Sequence, residues 1–438
     1  MDRLYASRCG VCAADQRQDI ARFLLSDRVV EAILRRIQGG FNVREEIDPD
    51  LFKQAKEMLD EAIGQSFDLG TEWGKEDLAF IAKLRHNAEV FAAFKAHREQ
   101  NDLAALLLDE EGKPRSFDAF RKATEPVIGQ YNVNWLRTEY TAAIRNARTA
   151  RRFRAYQKDA DLFPNLRWLK SRAAEPRFSH RKYYNTIRRI DDPWWLTHYP
   201  GCVWNCQCDM EQTADPITHV GDTPAMPGQP STKPGSEGEV RAPGLSQNPA
   251  LSKSLFSQDH PYFPQSCRSC SFGKRIGNIV NSGKNCFQCR ASETAIWDMR
   301  IAMSLNDAKK AVLEELTKSG LINTDIKHSS LEKRKFSLSR DVYDRFMAHV
   351  YTAEEAWILQ TLPSNLSSLK NRMKSELGDN KDLLDPRQIR NIERKRERGV
   401  KYYNLYEYEY RGKTWIIGME VSKIEKKWKE EPYFIKKK

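Results

Sequence analysis

The stretch from Asp191 to Cys208 constrains the fold more than any other part of the chain. It runs from Asp191-Asp192-Pro193-Trp194-Trp195 through His198-Tyr199-Pro200 to Trp204-Asn205-Cys206-Gln207-Cys208. Tryptophan is large and tends to bury its ring where the indole N–H finds an acceptor. Pro193 and Pro200 interrupt regular structure. Cysteine is usually buried, metal-bound or reactive. A compact, irregular, packed corner is expected, with Trp195 and Trp204 largely buried. His180, His198, Cys206 and Cys208 carry the atoms of a zinc site. Cys-x-Cys is tighter than the usual Cys-x-x-Cys, so structural packing is the simpler expectation. Cys206 and Cys208 should lie near His180 or His198 only if a metal gathers them. A catalytic Cys–His pair needs an activated thiolate and an oriented base, and the sequence carries no signature of one.

Helical periodicity dominates upstream. Gln16 to Ile37 reads as an amphipathic helix ended by Gly39-Gly40. A second helix starts after Asp48 with Pro49 in its first turn, a third spans Lys75 to Arg98, and a shorter one follows Ser116. A long helix is expected from Asn132 to about Asp159, whose second half carries Arg145, Arg148, Arg151, Arg152, Arg154 and Lys158. Residues three or four apart share a helix face, so these form a basic stripe. It reads equally as a solvated face or as a contact for nucleic acid or an acidic partner. Leu166, Trp168 and Lys170 alternate as in a strand, and a small β-rich cap on the helices is expected.

Leu136-Arg137-Thr138-Glu139-Tyr140, Pro176-Arg177-Phe178-Ser179-His180, Asp191-Asp192-Pro193-Trp194-Trp195, His198-Tyr199-Pro200 and Trp204-Asn205-Cys206-Gln207-Cys208 occur in that order. Over roughly residues 130 to 212 this resembles the Mu protein F-like minor head (head morphogenesis) proteins of tailed phages. The family's Asn-Cys-Arg-Cys is here Asn-Cys-Gln-Cys, and its usual glycine after the His segment is replaced near Tyr184-Asn185. The resemblance implies a role in virion morphogenesis with portal and capsid proteins as partners. It further implies contact with packaged DNA, and localisation in the virion and in the host cytoplasm during assembly.

Pro, Gly, Ser, Thr and Gln dominate residues 214–262, which reads as a linker. Cys267, Cys270, Cys286 and Cys289 then form two Cys-x-x-Cys pairs separated by fifteen residues. Four thiolates so paired close a tetrahedral zinc shell with no open position, so the expected Zn2+ is structural. Cys9 and Cys12 could be half of another metal site, but no second half lies near.

After a helical stretch from Thr294 to Ser319, the segment from 327 to 438 has its own pattern. Phe336-Ser337-Leu338-Ser339 opens it, and helices are expected over Val342 to Leu359 and Ser364 to Leu377. A basic run spans Arg390 to Arg398. Strands Tyr402 to Tyr410 and Thr414 to Val421 flank the turn Arg411-Gly412-Lys413, a hairpin. Helices followed by an antiparallel sheet, with basic and tyrosine residues on the hairpin, are similar to the phage barnase–EndoU–colicin–RelE-like nucleases. That resemblance implies metal-independent ribonuclease or toxin chemistry on host RNA. RNA transesterification needs a base, an acid and a cation facing the phosphate. The candidates are His349, Arg398, Tyr402, Glu407, Arg411, Lys413 and Tyr433 (Glu409 is the other carboxylate), and the alternative is an ordinary sheet face and rim.

The expected architecture is multidomain α+β. A helical N-terminal region covers 1–130, a Mu F-like head morphogenesis domain with the small β-rich cap 131–213, and the linker 214–262. A four-cysteine zinc module (263–292), a helical connector (293–326) and a nuclease-like α+β domain with an antiparallel sheet (327–438) follow. The net charge is +12, and 25 Lys and Arg against 17 Asp and Glu after Ser330 give +8 of it, which suits a polyanionic partner. No run of about 18 apolar residues is present to form a membrane-spanning helix, and the first residues lack the apolar core of a signal peptide. An alternative to an enzyme-bearing head protein is a zinc-containing nucleic-acid-binding adaptor without catalytic activity.

Overall fold

The computed structural model describes residues 1–5, 20–67, 75–173, 176–218, 242–266, 269–272, 286–328, 331, 334–378, 385–424 and 427–438. The chain divides into two compact units, Met1–Trp297 and Asp298–Lys438. Cys9, Cys12 and Cys267 lie outside the described residues.

In the first unit, α1 (Asp27–Gln38), α2 (Pro49–Phe67), α3 (Lys75–Ala104), α4 (Phe117–Ile128) and α5 (Leu136–Lys158) supply the core. Ser26 and Ser116 cap α1 and α4. The Asp48 carboxylate accepts from the first free N–H groups of α2 and pairs with Arg36 at 2.8 Å, the arrangement that helix starts favour. A π-helical segment, Gly129–Trp135, leads into α5, which therefore starts four residues later than the apolar pattern suggests. On α5, Ala143, Ala147 and Ala150 are buried beside Phe153 and allow α2 to approach closely. Much of the basic stripe is spent inside the fold. Arg152 pairs with Asp209, Arg154 with Asp77 at 2.8 Å and Lys158 with Asp77 at 3.4 Å, and Arg151 donates to the Ser66 carbonyl.

A three-stranded antiparallel sheet packs beside these helices. Its strands are β1 (Asn165–Leu169), β2 (Ile187–Arg189) and β3 (Asp209–Thr213), with β1 in the middle. The turn before β2 needs a left-handed residue, and Asn185 supplies it at φ 62° while donating to the Trp168 carbonyl. Asparagine tolerates that conformation better than other non-glycine residues, so the turn forms without a glycine. Residues 190–208, the Trp- and Cys-rich corner, form the connection from β2 to β3. Trp195 and Trp204 are buried, their indole N–H groups donating to the carbonyls of Arg189 (2.9 Å) and Pro243 (3.0 Å). Covering about 200 Å² of each ring stabilises by roughly 5 kcal/mol at about 25 cal/mol/Å², before conformational entropy.

The linker expectation meets a different structure over 242–266. Leu245, Leu255, Phe256, His260, Tyr262 and Phe263 are buried. Asn87 exchanges two 3.0 Å hydrogen bonds with the Phe256 backbone, and Asn146 donates to the Leu255 carbonyl. The segment docks because helix asparagines satisfy its irregular backbone while its few apolar side chains fill the aromatic cluster around Phe91. Residues 219–241 lie outside the described residues. The helix α6 (Arg290–Ile301) follows.

In the second unit, the expected helix over Thr294 to Ser319 is two, because Ser304 caps a new one, α7 (Leu305–Lys318). Then come α8 (Arg340–Met347), α9 (Ala353–Thr361) and α10 (Pro386–Glu397). Six strands form one sheet: β4 (Thr324–Lys327), β5 (Lys335–Leu338), β6 (Leu369–Glu376), β7 (Val400–Tyr410), β8 (Lys413–Ile424) and β9 (Lys427–Lys437), in the order β4-β5-β9-β8-β7-β6. Every pairing is antiparallel but β5 with β9, so the sheet is mixed where a purely antiparallel one is expected. The expected hairpin forms, but its turn is two residues rather than three: Arg411 and Gly412 take φ 50° and 73°, and Lys413 pairs with Tyr410. In place of the expected helix over Ser364 to Leu377 stand a short 3-10 turn, Leu366–Ser368, and the edge strand β6. Leu366, Leu369 and Met373 imitate helical spacing, but only the first two are buried and Met373 is exposed. Lys370, Arg372 and Lys374 lie along this edge, where charge discourages pairing with another chain.

Candidate functional site

The corner in the first unit gathers one histidine and two cysteines. The turn Phe178–Tyr183, which follows β1, carries His180. Asn205 takes the left-handed conformation at φ 58° and turns the chain into Cys206-Gln207-Cys208, which leads to β3. Because β1 pairs with β3 along its whole length, these two loops meet at one end of the sheet. His180 Nδ1 lies 3.7 Å from Cys206 Sγ and 3.6 Å from Cys208 Sγ. All three residues are buried, and their ligand atoms lie within 4.8 Å of one another. Trp168 meets the His180 ring edge-on, and Tyr183 tilts against it. His198 stays out of the group. It stacks on Trp194 at 4.7 Å, with Thr197 Oγ1 2.9 Å from its Nδ1.

Charge is shared within this group. A hydrogen bond from Cys208 holds the Cys206 thiol well below the ordinary thiol range despite burial, with His180 adding its positive charge. Burial opposes a charged imidazole, but the Cys206 thiolate and Cys202 outweigh it and push His180 up to about 10. A thiolate beside an imidazolium is also the pairing of a cysteine nucleophile. With all three side chains sealed from solvent, no substrate can reach the sulfur, and the arrangement suits holding a cation. Among the described residues, this is the group of His, Cys, Asp and Glu side chains spaced for a metal. Cys270, Cys286 and Cys289 do not form such a group there. Cys270 is buried, Cys286 and Cys289 are half-buried, and their segment packs on α3 through Phe94–Phe272, His97–Phe272 and the His86 contact to the Phe287 carbonyl.

The second unit has its own concentration of chemistry on one sheet face. Tyr403, Glu420 and Glu431 are cross-strand neighbours on β7, β8 and β9. The Lys395 amine lies 4.0 Å from the Tyr433 ring centre, donates to the Tyr403 hydroxyl at 2.5 Å and lies 3.6 Å from Glu420. The His349 and Tyr433 rings are 4.5 Å apart. Arg345 and Arg398 each reach Glu420 at 3.3 Å, and Arg345 reaches Glu431 at 2.9 Å. Burial, and then Lys395, lowers the His349 value, which keeps its ring neutral near pH 7. Burial works against the Lys395 charge, but Tyr403 and Tyr433 outweigh it and raise the amine above its ordinary range. Burial raises Glu420 against the opposing charges of Lys395 and Arg345.

His349, Arg398 and Tyr433 are thus brought together, and the other four sequence candidates are spread elsewhere. Tyr402 packs on Trp428 under Lys374, Glu407 pairs with Lys438 and Asn371, Lys413 pairs with Glu354, and Arg411 lies near Tyr410 at the hairpin tip. Sequence reasoning passed over Lys395, Tyr403, Glu420 and Arg345. A signal for the first existed: Lys395 and Arg398 are three apart, so within the basic run they share a helix face.

Over 97 residues the chain is 33% identical to the "Putative capsid assembly protein F" of Escherichia phage Mu, a stretch covering 22% of this chain and 22% of that protein. The likeness spans under a quarter of the relative's length. No protein-family model matches the chain, and no solved structure matches it.

Proposed function

We propose that this chain is a phage head-associated protein that takes part in capsid assembly. The likeness to a phage capsid assembly protein over 97 residues carries this reading. The first unit supports it: its packed helices and sealed Trp-rich corner build a rigid body suited to an interface within a particle. The finer reading assigns it to the minor head proteins, associated with portal and capsid, present in the virion and, during assembly, in the host cytoplasm. Contact with packaged DNA belongs to the same proposal. It rests on the basic surplus, since four members of the α5 stripe are engaged within the fold. The paired cysteines Cys267, Cys270, Cys286 and Cys289 are proposed as a structural zinc module. Deleting the gene from its phage should abolish infectious particles, and supplying the chain in trans should restore them. Normal particle yield without the chain would refute the assembly role.

A second activity is proposed for the residues 298–438, on the observation that His349, Lys395, Tyr403 and Tyr433 cluster on one face. The reaction is RNA transesterification. Neutral His349 takes the 2′-hydroxyl proton and the 2′ oxygen attacks phosphorus. Lys395 and Arg398 face the phosphate charge, and Tyr433 protonates the departing 5′ oxygen, leaving a 2′,3′-cyclic phosphate and a 5′-hydroxyl. The full chain should cleave single-stranded RNA or tRNA to cyclic-phosphate ends. His349→Ala and Lys395→Met should each lower the rate about 100-fold or more, while Tyr402→Phe leaves it unchanged. Inertness on all these RNAs would remove the ribonuclease reading and leave the adaptor alternative.

A further inference from the structure

The separations of His180 Nδ1 from Cys206 Sγ and from Cys208 Sγ match those between ligands of a tetrahedral coordination shell, and all three atoms lie within 4.8 Å of one another. With Zn–N near about 2.05 Å and Zn–S near about 2.3 Å, a tetrahedral angle separates a nitrogen from a sulfur ligand by about 3.6 Å. The two N···S separations are 3.7 and 3.6 Å. Weak S–H hydrogen bonds also tolerate such distances, so three further observations are needed. First, all three ligands are buried, with the rings of Trp168 and Tyr183 against His180, where polar atoms left unmet would be costly. Secondly, three polar side chains converge from two loops with no acidic residue among them, a soft donor set that excludes Ca2+ and Mg2+. Thirdly, a fourth thiol is at hand. Cys202 is buried and lies near the same imidazole, although it stands outside the closest group.

We propose that His180, Cys206 and Cys208 bind a single zinc ion, with the Cys202 side chain swinging in as fourth ligand. A closed shell has no position for water or substrate, so the ion is structural. It ties the turn after β1 to the turn before β3, and so locks the short sheet and the Trp-rich connection between them. Two adjacent loops with few regular hydrogen bonds gain a fixed geometry from one ion, as small metal-clipped modules do. The Cys-x-Cys spacing fits, because alternate residues of an extended segment point to the same side.

The test uses the full chain, with Cys267→Ser/Cys270→Ser as background so that zinc held at the other cysteines is not counted. Zinc content by elemental analysis, and the mass of the native protein, should give one ion per chain. Adding Cys206→Ser/Cys208→Ser should drop the content below about a tenth. No zinc in the background chain after refolding with zinc, or an ion that survives the second pair of substitutions, would overturn the proposal. Because either variant could misfold, the unaltered chain supplies a second readout. Alkylation mapped by mass spectrometry should spare Cys206 and Cys208 until a chelator is added, then modify both at least ten times faster, and added Zn2+ should restore protection. Equal rates with and without chelator would count against the site.

Discussion

Replacing Lys95 by methionine probes a fully buried charge in the N-terminal unit. Lys95 and Glu139 are both fully buried, with the amine 3.0 Å from the carboxylate. The amine also donates to the Tyr131 carbonyl at 2.9 Å and to the Tyr262 hydroxyl at 3.2 Å. The carboxylate accepts from the Tyr5 and Tyr262 hydroxyls at 2.8 and 2.7 Å. Lys95→Met removes the cation but leaves the carboxylate enclosed. Removing one partner of a buried pair costs about 3–5 kcal/mol. The two tyrosine donors that remain on Glu139 place this case near about 3 kcal/mol. Glu139→Gln alone strands the ammonium instead. The double variant Lys95→Met/Glu139→Gln carries no net charge and keeps an oxygen for the tyrosines. It should therefore be at least about 1 kcal/mol more stable than the sum of the single losses implies. The assay is urea unfolding of the full chain by tryptophan fluorescence, with all four proteins compared at one pH. A loss below about 1 kcal/mol for Lys95→Met, or strict additivity in the double variant, would refute the reasoning.

Glu99 is fully buried and accepts a 2.6 Å hydrogen bond from Asn132; burial pushes its carboxyl up to about 8, against the opposing charge of Lys95. The folded protein therefore holds a proton that the unfolded chain releases above about 4.5. This contribution to stability is complete below about 4.5 and is lost as pH rises to about 8, by at most roughly 5 kcal/mol at about 1.36 kcal/mol per pH unit. Glu99→Gln should flatten the fall in stability between pH 5 and 8 in urea titrations, and an unchanged slope would assign the fall to other groups. Gly418 on β8 faces Phe434 on β9, and a methyl there would overlap the ring. Gly418→Ala should destabilise the C-terminal unit by about 1–3 kcal/mol, and Phe434→Leu in the same chain should return part of that loss in thermal unfolding.

Helices were the most legible part of the sequence because their apolar spacing and their caps agree. Ser116 caps the helix expected after it, but the reading ran through two other caps: Gln16 to Ile37, expected as one helix, holds a short turn at Ile20–Phe23 and then α1 behind Ser26, and Ser304 splits Thr294 to Ser319. The failures have physical causes. In 364–377, Leu366 lies in a short turn and Leu369 and Met373 in an edge strand, where almost every side chain meets solvent and period-two alternation is lost. Residues 242–266 have the composition of a linker but the side chains Leu255, Phe256, Tyr262 and Phe263 of a docked segment. Their partners, Asn87, Phe91 and Asn146, are more than a hundred residues away in sequence. The Cys-x-Cys corner was visible as a dense cluster, yet the sequence held two histidines and no way to rank them. Pairing of β1 with β3 chose His180, and Trp194 took His198. On the sheet face that carries His349 and Tyr433, one residue decided the outcome: Tyr403 lies in the cluster and Tyr402 on the opposite side of β7, since neighbouring strand residues point to opposite faces.

The composition of assembled heads bears most directly on the head-associated role. Heads purified on a density gradient from a host expressing the chain with its phage's capsid and portal proteins should contain it. It should appear by mass spectrometry at a fixed ratio to portal that survives high-salt washing. A chain found only in the soluble fraction, or lost from heads in salt, would contradict that role.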